Sequence, residues 1–391
     1  MKTYDTIVVG AGPAGSTSAY RLAKGGASVL LLDRARFPRD KPCGGGVTRR
    51  AFAELPFSIG PVVEHPVTKV ELGLGFGRRT ERGRGGVLVY MTQRRRLDEL
   101  LASRAADAGA EFRDGAKVAA VESDGARVTV TADGERLRGR TVIGADGVNG
   151  ICARSLGLGG NRSLSVALEG NLPYDRMDAG RYDGRFVLEL GTVPGGYGWI
   201  FPKGGHANFG VGGFESEGPR LREHLARLCR KHGVRAEDLQ DVRGYRLPMR
   251  APDSCLASGR GLLAGDAAGL VDPLTGDGMY EAFVSGRLAA EAAERVLSGE
   301  EPSLDAYSAR LTRHFAVHLW ASWSLRAALD RFPRTAYTLA TLPPVWAVVE
   351  SVVTGELSDV RAARGLVRAP LKALALLARV AGDPGHAYRP A

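Results

Sequence analysis

The chain opens on an apolar run, Thr6–Gly10, rich in valine and isoleucine. So continuous a run predicts a strand buried on both faces, as in a parallel sheet. A glycine turn leads to a helical stretch, Ala14–Lys24, and a second apolar run, Ser28–Leu32, stops at Asp33. Together these predict a βαβ unit. After residue 60 the pattern changes: Val67–Gly75 and Gly86–Thr92 look like antiparallel strands with glycine and arginine between them. Arg95–Ala108 returns to helical spacing, with Leu97, Leu100, Leu101 and Ala105 on one face. Lys117–Glu122, Arg127–Ala132 and Arg140–Gly144 read as short strands. Residues 163–214 form a second all-strand block, where Val187–Leu190, Gly198–Phe201 and Ala207–Gly212 mix small, aromatic and apolar positions. A helix at Arg220–His232, a strand at Gly261–Ala264 and a helix at Gly278–Leu297 follow, and the remainder is mostly helical and rich in Ala, Leu and Arg.

With 391 residues, two or three structural units are expected. The fold class this predicts is α/β: a Rossmann-type domain from 1–60, 93–160 and 255–300, an inserted antiparallel-sheet domain from 61–92 and 161–254, and a helical C-terminal region, 301–391. The net charge of +10 fits either plain solubility or attraction to phosphates and anionic lipid. The arginines are scattered, not interleaved with aromatics, so no nucleic-acid partner is expected. Cys43, Cys152, Cys229 and Cys255 lack metal-ligand spacing, which predicts neither structural zinc nor a Cys-held iron–sulfur cluster and suits a reducing, cytoplasmic setting. No signal peptide is expected ahead of the first strand. In the most apolar long stretch, Thr335–Val349, Pro343 and Pro344 argue against a spanning helix.

Three motifs carry the chemistry. Gly10-Ala-Gly12-Pro-Ala14-Gly15 lies between the first strand and its helix. Gly10 permits the tight turn, Gly12 the approach of a pyrophosphate, and Gly15 close helix–strand packing, while the helix N-terminus offers free N–H groups to phosphate. Asp33, followed by Arg34, closes the second strand where a carboxylate can accept ribose hydroxyls. Two later motifs, Gly144-Ala-Asp146-Gly147 and Gly261-Leu-Leu-Ala-Gly265-Asp266 running on through Pro273, Gly276, Gly278 and Met279, complete the set. They resemble the FAD-dependent class that includes the aromatic hydroxylases. That resemblance implies FAD, with Asp266 toward the ribityl chain and the helix after Gly278 facing the flavin's pyrimidine edge. It also places Arg94, with neighbours Arg95 and Arg96, near the phosphates and Val118 over the adenine.

Lys41-Pro-Cys43-Gly44-Gly45-Gly46 presents bare backbone suited to a flat ligand. Tyr197-Gly-Trp199-Ile-Phe201-Pro202, followed by Gly210-Val-Gly212, puts three aromatics on one strand face. This is either a sandwich core or an aromatic wall for a hydrocarbon. Both segments resemble the geranylgeranyl reductase family, flavoproteins that saturate isolated double bonds of polyprenyl chains, over roughly residues 1–330. The resemblance implies a substrate wall at Tyr197, Trp199, Phe201, Pro202, Gly210 and Gly212, and Cys43 beside the flavin, where its thiol either gates proton or electron transfer or simply packs. Tyr280 and Cys43 are the candidate proton donors. His206 lies on the same hairpin. Asn149-Gly150 replaces a more usual Ser, and Asp277 stands where Glu is more familiar.

Saturating an unactivated alkene needs a hydride to one carbon and a proton to the other, with water and oxygen excluded. The chain shows no second dinucleotide fold, so the expected electron donor is NAD(P)H or a ferredoxin. The alternative is an FAD monooxygenase of a hydrophobic small molecule; halogenases carry Trp-x-Trp-x-Ile-Pro where this chain has Tyr197-Gly-Trp199-Ile-Phe201-Pro202. Finally, Arg361, Arg364, Arg368, Lys372 and Arg379 fall on one helical stripe within Val360–Gly382, away from Leu366, Leu374 and Leu377. That pattern fits a basic helix on an anionic membrane surface, at the inner face of the cell membrane, and equally the wet face of a packed helix; Pro370 is a candidate break.

Overall fold

The computed structural model describes residues 2–83, 85–354 and 368–382. β1 (Thr3–Val9), α1 (Pro13–Lys24) and β2 (Val29–Leu32) form the opening βαβ unit, followed by β3 (Gly46–Thr48) and α2 (Arg49–Ala53). Next come β4 (Val63–Val67), β5 (Lys69–Leu74), β6 (Arg78–Arg82), β7 (Val89–Thr92) and α3 (Arg94–Asp107). β8 (Glu111–Arg113), β9 (Val118–Ser123), β10 (Val128–Ala132), β11 (Glu135–Gly144) and α4 (Cys152–Ser155) return to the first unit. β12 (Arg162–Pro173), β13 (Arg185–Val193), β14 (Gly196–Pro202), β15 (His206–Phe214), α5 (Leu221–Lys231) and β16 (Gln240–Arg250) make the second. β17 (Ala257–Ser258), β18 (Gly261–Leu263) and α6 (Met279–Ser298) lead to α7 (Ala306–Arg331), α8 (Pro333–Ala340), α9 (Pro343–Thr354) and α10 (Arg368–Val380).

In the first sheet, β18-β11-β1-β2-β8 run parallel, while β17 and the β9–β10 hairpin attach antiparallel. Leu30, Leu31 and Leu32 are wholly buried, as continuous apolar runs in a covered parallel sheet require. Gly10 has a φ of +102°, and a side chain there would collide with the backbone of Ala145; one at Gly15 would collide with the carbonyl of Gly10. The glycine turn is therefore wedged between two strand ends and a helix start.

The second sheet has the order β16-β12-β15-β14-β13-β5-β6. It is mixed, where the sequence suggested antiparallel pairing throughout: β13 runs parallel to β5. Between these two strands the chain crosses the first domain, and a long crossover is what a parallel pair demands. The run Val67–Gly75 also divides, β5 joining this sheet and β4 pairing with β7 in a third sheet, β3-β7-β4. Both edge strands, β6 and β16, escaped the sequence reading. β6 is almost entirely charged and β16 mixes charged residues with Gly and Pro, which protects an exposed edge and erases the apolar alternation. One face of the sheet packs Ile200, Phe209 and Val211 on Leu225 and Leu228 of α5.

Tyr337 of α8 donates to the Leu72 carbonyl at 2.9 Å, fixing the C-terminal helices over β5. Pro343 and Pro344 open α9, where their missing N–H groups cost nothing. Among the described residues no single helix is long and apolar enough to cross a membrane; α8 and α9 pass that test only together, bent by 80°.

Candidate active site

A cavity of about 910 Å³ runs from the first glycine turn, past the loop at 41–46 and the face of the second sheet opposite α5, to the helices α7–α9. At its first end, Gly12 caps α1 without any side-chain hydrogen bond, and a side chain there would meet only Arg39, at 3.6 Å. Asp33 holds the turn, accepting from the N–H of Ala11 at 2.8 Å and of Ala35 at 2.9 Å. Of the three consecutive arginines, Arg94 is buried and lines the cavity while Arg95 and Arg96 are exposed. Arg94 makes a two-pronged pair with Asp98, at 2.8 and 2.7 Å, and Arg39 shares that carboxylate at 2.9 Å. Burial works against the Arg94 charge, but Asp98 overrides it and the pKa rises. Open helix-end N–H groups, two oriented guanidiniums and a strand-end carboxylate fit the adenosine and pyrophosphate of FAD. Ala14, Arg34 and Val118 line the same region; Gly15 serves packing instead.

Asp146 is turned onto its own backbone, accepting from Ile151 at 2.6 Å and Cys152 at 2.9 Å. A side chain at Gly150 would overlap that carboxylate, which accounts for glycine there. Gly147 lines the cavity beside it. Asp266 is engaged by Lys41 at 3.0 Å and Tyr245 at 2.9 Å. Its burial would raise the pKa, yet Lys41 holds it below the ordinary value. Nothing in sequence proximity links Lys41, Tyr245 and Asp266; the βαβ unit, β16 and the α6 approach bring them together.

The loop at 41–46 is clamped from both sides. Glu169 of β12 accepts from the Cys43 N–H at 2.6 Å, and Lys203 donates to the carbonyls of Gly44 and Thr92, the latter at 2.8 Å. Burial pushes the Lys203 ammonium down to about 8. Gly45, at φ +70°, packs against Thr92. A side chain at Gly44 would come within 2.6 Å of the Phe201 ring, so Phe201 packs on this bare backbone, which also lines the cavity. Cys43 lines the cavity, and its sulfur accepts weakly from Gly45 N–H at 3.4 Å.

Strand register explains the wall. Tyr197, Trp199 and Phe201 share the cavity face, while Ile200 and Pro202 point to the other side and Pro202 does not line the cavity. Gly212 and Gly210 stand opposite Tyr197 and Trp199, and the Trp199 indole lies across Gly210, donating from Nε1 to Asn208 at 2.8 Å. On one flank, Leu188 and Leu190 of β13 and Leu72 of β5 continue the row as an apolar chamber under Tyr337 and Trp346. On the other, Ala167, Glu169, Arg243 and Tyr245 give a polar flank toward Asp266.

The start of α6 closes the site. Pro273, Gly276, Gly278 and Met279 line the cavity. Tyr280 does not: one residue further round the helix it packs on Phe315, with Arg50 over its ring at 4.3 Å, so the structure removes it as a proton donor. Asp277, which lines the cavity, has a carboxyl pushed up to about 7 by burial and by Glu281. Asp272 pins the 273–276 turn, accepting from Leu274 and Thr275, and the Thr275 carbonyl accepts from Tyr197. His318 of α7 lies 3.0 Å from Asp272 and 3.1 Å from Glu281. Burial opposes its charge, but Asp272 raises its pKa to about 9. These three residues have metal-ligand chemistry, yet the imidazolium already occupies the position between the carboxylates. His206 is partly buried, lies outside the cavity, and has its pKa lowered by burial and by Lys203.

Residues 3–180 match the FAD binding domain family. The chain is 37% identical over 335 residues to a menaquinone reductase of Mycobacterium tuberculosis, covering 80% of this chain and 82% of that protein. It is 34% identical to the geranylgeranyl diphosphate reductase of Rhodobacter capsulatus, covering 77% of each. The crystal structure of a geranylgeranyl bacteriochlorophyll reductase-like protein from Thermoplasma acidophilum superposes with a TM-score of 0.73 at 23% identity, over 99% of this chain and 98% of that one, and shows the same fold.

Proposed function

This chain belongs to the geranylgeranyl-reductase-like family of FAD-dependent oxidoreductases, and we propose that it saturates carbon–carbon double bonds of a polyprenyl chain carried on a lipid, quinone or diphosphate. The observation that carries this reading is the continuity of one cavity: the loop of Cys43, the wall of Tyr197, Trp199 and Phe201, and the apolar chamber of Leu72, Leu188 and Leu190 are joined without a partition. A long hydrocarbon can therefore thread past the aromatic wall while most of its length stays buried. Bound FAD, reduced by NAD(P)H or a ferredoxin, supplies the hydride. The chain's own residues bind, orient and exclude water. Lys203 and Glu169 fix the loop of Cys43, and Asp272 fixes the turn that meets Tyr197. Cys43 is the candidate for gating the proton.

The test is an anaerobic single turnover. The enzyme is reduced and mixed with a geranylgeranyl-bearing lipid, and mass spectrometry should show a gain of two hydrogens per bond. Gain of oxygen in air, with no reduction under nitrogen, would instead favour the monooxygenase.

We place this activity in the cytoplasm, peripheral to the inner face of the cell membrane. Arg361 and Arg364 of the basic stripe, and Leu366 away from it, lie outside the described residues. α10 includes Pro370 in its first turn and packs Leu374 and Ala378 on the neighbouring helices. Much of its apolar face thus belongs to the core. What supports surface binding is the exposure of Leu376 and Val380 close to the cations Lys372 and Arg379.

A further inference from the structure

Arg326 of α7 is 7% exposed and lines the cavity. Its guanidinium donates to the Ser165 hydroxyl at 2.9 Å and to the Met249 thioether at 3.1 Å, and its Nε has no partner. Both acceptors are neutral, and thioether sulfur is a weak one. Among the described residues no carboxylate is ion-paired with it. Asp330, one turn further along α7, is exposed and accepts from the Gly195 N–H at 2.7 Å. Asp272 is committed to His318. The arginine is flanked by the rings of Phe214 at 4.9 Å and Trp323 at 5.5 Å. Burial pushes its pKa down, although Asp330 and Asp272 favour its charge from a distance. A buried charge with no ion pair of its own is costly, and a ligand of opposite charge offsets that cost.

Its place in the cavity matters as much as its charge. Ser165 pairs with Phe214 and Leu247, one row beyond the row of Tyr197, Gly212 and Ala167. Phe214 is 38% exposed, so solvent lies close to this end of the cavity. Gly44 packs on Phe201, whereas Arg326 meets Ser165 and Phe214 beyond the other end of the same strand; β14 from Phe201 to Gly196 spans about 16 Å and separates the Cys43 loop from Arg326. Between them lie aromatic and aliphatic side chains, with Leu325 and Leu329 flanking Arg326 on α7.

We propose that Arg326, with Ser165, is the receptor for an anionic head group, a phosphate or carboxylate, of an amphipathic substrate whose hydrocarbon runs inward along the aromatic wall. This rests on the polyprenyl reading for the tail and narrows it: the substrate carries a negative charge at the end remote from the reacting bond and is not a neutral quinone or alcohol. The Arg326 guanidinium presents a planar fork that matches both oxyanions.

The experiment uses the FAD-loaded full chain and binding, read as perturbation of the flavin spectrum, with two ligand pairs: geranylgeranyl phosphate against geranylgeraniol, and palmitate against hexadecanol. Wild-type protein should prefer the anionic member, and Arg326→Met should weaken that member roughly tenfold or more while changing the alcohol by less than about threefold, the size of a charge-assisted hydrogen bond. Ser165→Ala should act in the same direction but less. Because Met removes a buried charge that has no ion pair, the variant should melt no lower than wild type. Equal binding of phosphate and alcohol, unaffected by the substitution, overturns the proposal while leaving the polyprenyl reading intact. Charge selectivity through Arg326 for palmitate, with neither polyprenyl ligand bound, keeps the anion site and overturns the polyprenyl reading. Binding of none of the four overturns both, whereas a melting temperature well below wild type for Arg326→Met, with unchanged selectivity in Ser165→Ala, overturns the anion site alone.

Discussion

Gly210 tests the aromatic wall most directly. A side chain at this position would overlap the six-membered part of the Trp199 indole, and the cavity face offers the ring no second resting place without breaking its 2.8 Å bond to Asn208. Gly210→Ala should therefore do one of two things. If the indole stays, the overlap is absorbed as strain, about 1–3 kcal/mol for overpacking a close-packed site. If it swings away, the overlap is relieved but the Nε1 bond and the packing of the ring are lost, ~0.5–1.5 kcal/mol for the bond alone. The variant should thus lose roughly 1–3 kcal/mol either way. Urea unfolding of the FAD-loaded protein, followed by tryptophan fluorescence, measures the total. A cycle with Trp199→Leu isolates the contact, since the leucine side chain is too short to lie across residue 210. Gly210→Ala should then be nearly neutral in the Trp199→Leu background, giving a coupling of at least ~1 kcal/mol. Single and double variants that simply add, or a Gly210→Ala protein within ~0.5 kcal/mol of wild type, would refute the placement of the indole and with it the wall.

Four further outcomes are expected. Denaturation should release FAD without a covalent link, and Asp266→Ala should lower FAD content and cost ~3–5 kcal/mol in unfolding measurements, because Lys41 keeps a buried charge beside Tyr245 with no counter-ion; a fully loaded, equally stable variant would contradict this. Cys43→Ala should retain FAD and lose tenfold or more in turnover, about 1.4 kcal/mol; a smaller loss leaves the thiol as packing only. The pKa of His318 is raised to about 9, so its charged form stabilises the fold fully below pH ~6.5 and the gain disappears as pH rises through about 9. His318→Gln should accordingly be less stable than wild type by up to ~3 kcal/mol near pH 6 and equal to it near pH 10, a pattern that denaturant titrations at several pH values would reveal or exclude. Finally, the full chain should sediment with anionic vesicles at low salt and less at high salt, whereas replacing Leu376 and Val380 with Ser should abolish binding without unfolding the protein; retention by that variant would assign α10 to the core alone.

Local chemistry was enough to read the cofactor half from sequence. A glycine turn between an apolar strand and a helix leaves few alternatives, because only glycine fits where a side chain would strike the Ala145 backbone or the Gly10 carbonyl. Asp33 followed from the end of the next strand, and the period-two spacing of Tyr197, Trp199 and Phe201 placed them on one face before any fold was known. Which face remained open, since core and cavity walls are equally apolar; the packing of α5 on Ile200, Phe209 and Val211 decided it. Tertiary structure also decided everything that depends on charges meeting across the chain. Lys41 with Asp266, Glu169 with the Cys43 N–H, Lys203 with Gly44 and His318 with Asp272 are held by different elements, far apart in sequence. Tyr280 was misplaced for the converse reason: one step along a helix turns a side chain by about 100°, and no motif states which side of α6 faces the cavity. Sequence shows where the backbone is bare, because a glycine is read directly; what fills the space, Ala145 at Gly10 or Phe201 at Gly44, only the fold decides. Which ions pair and which, like Arg326, meet only neutral acceptors is settled only when the sheets and helices close on one another, because Coulomb energies depend on distance and burial and not on order along the chain.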